Sequence, residues 1–89
     1  MKSKRQRIPV EKIQTGLRME KRIVKVLKAM AEYHDMTPGD LLDAILLHVF
    51  EGKNPFGKES LARIQDFKRI YGLDLGASAA HRLVEKKRP

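Results

Sequence analysis

Between residues 12 and 19 the chain alternates with period two. Ile13, Thr15, Leu17 and Met19 fall on one face, and Lys12, Gln14, Gly16 and Arg18 on the other. That is the pattern of a half-buried β-strand. From Lys21 the period lengthens. Ile23, Leu27, Met30, Ala31 and His34 recur at three- and four-residue spacing, while Lys25, Lys28 and Glu32 lie away from that face. The spacing predicts an amphipathic helix over about 21–34. Val24 and Val26 broaden its apolar surface, which implies burial on more than one side.

A second helix is predicted over 38–50. Thr37 suits the N-cap, Pro38 the first helical position, and Asp40 can return a bond to the cap. Leu41, Leu42, Ile45, Leu46, Val49 and Phe50 leave this helix apolar around most of its circumference, so it is buried on nearly all sides or lies at a subunit interface. Gly52 stops it. The loop GKNPFG (52–57) leads to a third helix over about 58–71, with Leu61, Ile64, Phe67 and Tyr71 as its stripe and Gly72 closing it. Asp74 is the expected cap of a fourth helix over about 75–87, whose stripe of Ala77, Ala80, Leu83 and Val84 is thin.

One predicted strand among helices has no partner within the chain. Its backbone donors and acceptors must pair somewhere. Pairing with the same strand of a second copy across a two-fold axis meets that need, giving an antiparallel ribbon with its apolar face on the helices of both subunits. The other face then presents Gln14, Gly16 and Arg18 from each chain, and a two-stranded ribbon fits the major groove of DNA.

Charge points the same way. The 89 residues carry a net charge of +8, with +6 on residues 1–22, −2 on residues 23–54 and +4 on residues 55–89. A basic arm and strand joined to a mildly acidic middle suit a polyanion, nucleic acid ahead of membrane. Residues 1–11 read as a flexible basic arm, either an ordinary tail or one that touches DNA. In the second case Lys4, Arg5 and Arg7 contact phosphates or the minor groove without choosing sequence.

The order of strand, amphipathic helix, Thr-capped turn and greasy second helix resembles the ribbon-helix-helix family of repressors, the Arc and MetJ type. The match spans about residues 12–50, and Gln14 through Phe50 can be laid on the family pattern without a gap. The resemblance implies a ribbon-helix-helix homodimer; with the helices read after residue 52, the fold expected is mainly α, a ribbon-helix-helix dimer with additional C-terminal helices. The resemblance also implies base contacts by the three alternating strand positions, here Gln14, Gly16 and Arg18. Core positions fall on Leu17, Met19, Ile23, Leu27, Met30, Ala31, Leu42, Leu46 and Phe50. A backbone phosphate is expected at the start of the second helix, at Thr37, Gly39 and Asp40, with Lys12 as a further phosphate contact. The chemistry of the side chains agrees, since Gln can bind adenine and Arg guanine in a bidentate manner, and a helix N-terminus offers N–H groups to a phosphate. Gly16 offers no side chain, and Asp40 places an acid beside the expected phosphate.

The organisation expected is therefore a basic arm (1–11), a DNA-binding and dimerisation module (12–52) and a helical extension (53–89). The extension braces the dimer, brings dimers together on adjacent operators, or binds another protein. The function expected is a sequence-specific transcriptional regulator, a repressor, bound to double-stranded DNA as a homodimer. One alternative is an antitoxin or plasmid-partition protein whose C-terminal helices hold a protein partner. A second, of another class, is a helical interaction dimer that never touches DNA.

Other classes find little support. The chain has no cysteine, so disulfide frameworks and zinc–thiolate sites are excluded. His34, His48 and His81 fall on different predicted helices with no metal-binding spacing. Ser60 and Ser78 have no neighbouring base in sequence, so no enzyme and no cofactor is expected. The longest apolar run, Leu41–Phe50, is interrupted by Asp43 and His48 and is too short for a bilayer. No apolar signal-peptide core follows the basic N-terminus, and a soluble, cytoplasmic protein is expected.

Overall fold

A computed structural model describes residues 7–86. They form α1 (Lys21–Tyr33), α2 (Pro38–Phe50) and α3 (Lys58–Tyr71), followed by one 3-10 turn at Ala77–Ala79. The three helices lie where the apolar spacing places them. α1 packs against both of the others and forms the middle of the unit.

Local chemistry explains the boundaries. Glu20 precedes α1, and its Oε1 accepts from the N–H groups of Arg22 and Ile23, each at 2.9 Å. A carboxylate there satisfies two otherwise unpaired donors and complements the positive end of the helix dipole. α1 leaves through a tight turn in which the Met36 N–H donates to the Ala31 carbonyl at 2.9 Å. Asp35 takes a left-handed φ of 59° in that turn, a conformation Asp tolerates better than most side chains. Thr37 then caps α2, its Oγ1 accepting from the Asp40 N–H at 3.1 Å. Pro38 follows, where a missing N–H costs nothing. α2 and α3 each end at a left-handed glycine, Gly52 (φ 71°) and Gly72 (φ 67°).

The core is small. Val26, Met30 and Ala31 of α1 and Leu41 of α2 are buried, and Leu27, Ile45, Phe56, Ile64, Phe67 and Leu73 pack around them partly exposed. Of the positions the resemblance assigns to a family core, Met30 and Ala31 are buried, and Ile23, Leu27 and Leu42 are half-buried. Leu17, Met19, Leu46 and Phe50 are exposed, Phe50 at 76%. The reason is geometric. α2 is apolar around most of its circumference but has one neighbour, α1, so Leu46, Leu47, Val49 and Phe50 face outward.

Two expectations about the flanks change. Residues 12–19 carry no strand in the single chain, because a strand needs a ladder and no second segment lies alongside. They pass without helix or turn, with Ile13 at 81% and Leu17 at 67% exposure. The fourth helix over 75–87 is corrected: among the described residues that region has only the 3-10 turn, and residues 82–86 have no regular structure. Asp74 does not cap a helix but pairs with Arg22 at 3.0 Å. Ala80 is extended (φ −57°, ψ 143°) and His81 has a φ of 72°. A stripe of two alanines, Leu83 and Val84 buries too little to hold so short a helix. Thus α3 is the helical part of the extension after residue 52.

Candidate nucleic-acid interface

The segment before α1 lies against the chain through its two cations. The Lys12 ammonium donates to Asp40 Oδ1 at 2.5 Å and to Asp43 Oδ2 at 2.9 Å, which pins it over the first turns of α2. The hydrogen bond to Asp40 is the main reason the Lys12 pKa is raised, with Asp43 second, and Lys12 in turn holds Asp40 below the usual carboxylate range. Arg18 reaches in another direction. Its Nε donates to Glu85 Oε1 at 3.0 Å and its Nη2 to Glu85 Oε2, a two-pronged pair across 67 residues of sequence. Glu85 is held below the ordinary glutamate value by that bond, and Arg18 is raised by it.

Gln14 and Gly16 sit between these anchors, both exposed. A Cβ built on Gly16 meets nothing within 4 Å, and its φ lies outside the left-handed region. Nothing within the chain requires glycine there, although glycine weakens an extended segment. Of the arm residues, Arg7 is exposed, while Lys4 and Arg5 lie outside the described residues.

At the start of α2, Thr37, Gly39 and Asp40 are all exposed. The Asp40 N–H is committed to Thr37 Oγ1 and Pro38 has none, so the Gly39 N–H is the amide this turn offers to an anion. The surroundings are acidic. A shallow open recess beside the turn is lined by Glu32, Asp35, Met36, Thr37 and Asp40, and Lys12 offsets part of that charge. The Lys12 ammonium, shared by Asp40 and Asp43, and the Gly39 N–H are the positive groups at this end of α2.

Pairings distant in sequence were not legible from motif spacing. Arg22 is one: it bonds Glu20 Oε2 at 2.9 Å, the Gly72 carbonyl at 3.0 Å and Asp74 Oδ1 at 3.0 Å, tying the start of α1 to the end of α3. Its only sequence signal is Glu20 two residues earlier. A second lies at the opposite end, where His34 Nε2 is 3.2 Å from Ser60 Oγ and Tyr33 donates to Glu59 Oε2 at 3.2 Å. The Phe56 ring stacks on His34 with centroids 6.4 Å apart. Ser60 therefore does have a nearby base, across 26 residues. Among the described residues no carboxylate bonds the other ring nitrogen of His34, so the pair lacks the third group of a nucleophilic triad and joins α1 to α3. His48 bonds its own helix, at the Ala44 carbonyl. No cluster of three metal-ligating side chains occurs among the described residues, and no helix among them is long and apolar enough to cross a membrane.

Family models, curated proteins and solved structures were each compared with this chain, and none matches.

Proposed function

We propose that the chain is a sequence-specific DNA-binding transcriptional regulator, a repressor, that works as a homodimer. Residues 12–19 of two copies pair across a two-fold axis, and the resulting ribbon enters the major groove. One observation carries this reading: exposed apolar positions recur on the two elements that the ribbon-helix-helix pattern assigns to a dimer interface, the 12–19 segment and α2. Ile13 and Leu17 of the segment, and Leu46, Leu47, Val49 and Phe50 of α2, are exposed, while only four of the described residues are buried. A core so small leaves a chain of this length marginal on its own. A second copy supplies both the missing ladder and the missing cover.

The polar side of the segment supports DNA as the ligand. Gln14 and Arg18 are bidentate groups suited to adenine and guanine edges. Gly16, free of any steric reason within the chain, permits close approach to the groove floor. Lys12 and the Thr37–Asp40 turn, with the Gly39 amide, are assigned to phosphates; Lys4, Arg5 and Arg7 add affinity without specificity. The reading places the protein in the cytoplasm, with the DNA it regulates.

The test is binding to a defined duplex. Arg18→Ala should lose roughly ten- to hundred-fold in discrimination between cognate and random duplex. Replacing Lys4, Arg5 and Arg7 by Ala should weaken binding to every duplex and flatten its salt dependence. An Arg18→Ala protein that keeps wild-type discrimination would remove this residue from the reading surface.

A second reading adds a protein partner, as in antitoxins and partition proteins. It is favoured by the C-terminal segment, where Leu83 (51%) and Val84 (89%) are exposed without regular structure around them. Co-purification of a second chain that is lost on changing Leu83 and Val84 to Ser would support it.

A further inference from the structure

One edge of the guanidinium assigned to base reading is already occupied. Arg18 presents its Nε and Nη2 to the two oxygens of Glu85, a carboxylate from the far end of the chain. A carboxylate and the O6/N7 edge of guanine present the same thing to an arginine fork: two acceptors side by side in one plane. On the Nε–Nη2 edge of the fork the two ligands exclude each other, while Nη1 takes no part in the pair. The pair is also open to exchange, with 78% of the Arg18 side chain and 61% of the Glu85 side chain exposed.

The tail that carries Glu85 starts from a fixed point. Arg22 holds the Gly72 carbonyl and the Asp74 carboxylate at 3.0 Å each. The Ala77–Ala79 turn follows, and Arg82 Nε donates to the Ser78 carbonyl at 3.0 Å. Glu85 is thus delivered from a short tether rather than from a free coil, which keeps its effective concentration near Arg18 high. Lys86, Lys87 and Arg88 follow it directly.

We propose that Glu85 is an intramolecular competitor of DNA, its carboxylate standing in the Arg18 fork where the guanine edge would bind. The inference rests on the proposed DNA-reading role of Arg18. Binding of a cognate duplex exchanges Glu85 for guanine on the fork and releases the tail, leaving its three terminal cations for phosphates. An exposed ion pair is individually weak, so each latch lowers affinity by about three-fold, and the two latches of a dimer by roughly ten-fold.

The test compares Glu85→Gln with Glu51→Gln, which removes the same charge from a carboxylate paired with Lys53. Full-length proteins are titrated with a fluorescent duplex carrying the selected consensus and with a scrambled duplex, at one salt concentration. Backbone 15N relaxation of residues 82–86 is recorded without DNA. The expected result is a roughly ten-fold gain in consensus affinity for Glu85→Gln, little change for Glu51→Gln, and a tail loosened only by Glu85→Gln. Equal gains for both variants would show general electrostatics and overturn the competitor role. So would a tail equally mobile in wild type and Glu85→Gln. If the tail loosens as expected but no protein prefers the consensus, the latch exists and the DNA reading of Arg18 has failed, which removes the proposal with it.

Discussion

Arg22 and Asp74 meet at 3.0 Å, joining the first turn of α1 to the second residue beyond the left-handed glycine that ends α3. The same guanidinium also holds the Gly72 carbonyl, so one half-buried side chain closes one end of the α1–α3 pair. At the other end the closure is made by Tyr33 with Glu59 and His34 with Ser60.

Replacing Arg22 by Ala removes contacts to Glu20, Gly72 and Asp74 together. Thermal unfolding followed by circular dichroism should show a midpoint several degrees lower. Arg22→Lys should recover only part of the loss, because a compact ammonium cannot match acceptors spread along the Nε and Nη1 sides of a planar fork.

The apolar positions on α2 separate folding from assembly. Met30 is 2% exposed, and Met30→Ala should destabilise the unit by about 2–5 kcal/mol at any protein concentration. Phe50 is 76% exposed, so Phe50→Ser removes almost nothing from the single chain. Sedimentation velocity should instead show Phe50→Ser shifted toward monomer, with helical content largely retained.

Gly16 makes a sharper test of where function lies. A methyl group there meets open space in the chain, so Gly16→Ala should leave the thermal midpoint of the free protein unchanged or slightly higher. Its affinity for duplex DNA should fall. A loss of stability without loss of binding would mean that the glycine serves the fold.

The pH dependence follows from three carboxylates. Glu20 is lowered chiefly by its bond to Arg22, Asp40 by Lys12 and Glu85 by Arg18. Groups with depressed folded-state pKa values stabilise fully above their unfolded values, near 4, and lose that contribution as pH falls through the folded ones. The raised Lys12 is lost only in strong alkali. Unfolding midpoints measured from about pH 6 down to pH 2 should therefore drop below about pH 4, and the drop should be smaller in Glu20→Gln.

Much of the helical unit was legible in the sequence because its signals are local. Thr37 and Pro38 start α2, Gly52 and Gly72 stop α2 and α3, and three- and four-residue spacing marks the faces between them. The core was legible less evenly. Val26, which only broadened the predicted face of α1, is buried, whereas Phe50 is exposed. The difference is that spacing tells which residues are apolar, not how many neighbours a helix has in one chain. The region after Gly72 misled for a related reason: Ala77, Ala80, Leu83 and Val84 fit a helical spacing but offer too little surface to be packed. Arg18 with Glu85 and Lys12 with Asp40 and Asp43 were beyond reach, since nothing local links residues separated by 67, 28 and 31 positions.

If residues 12–19 of two copies form one DNA-reading ribbon, the DNA they prefer must carry its two-fold symmetry. Selection of bound duplexes from a random pool at near-physiological salt tests it most directly, with wild type and Arg18→Ala run in parallel. Wild type should yield an inverted-repeat consensus, with guanine at a symmetric pair of positions that Arg18→Ala no longer enriches. A wild-type selection that enriches no sequence, or one without two-fold symmetry, would contradict the ribbon.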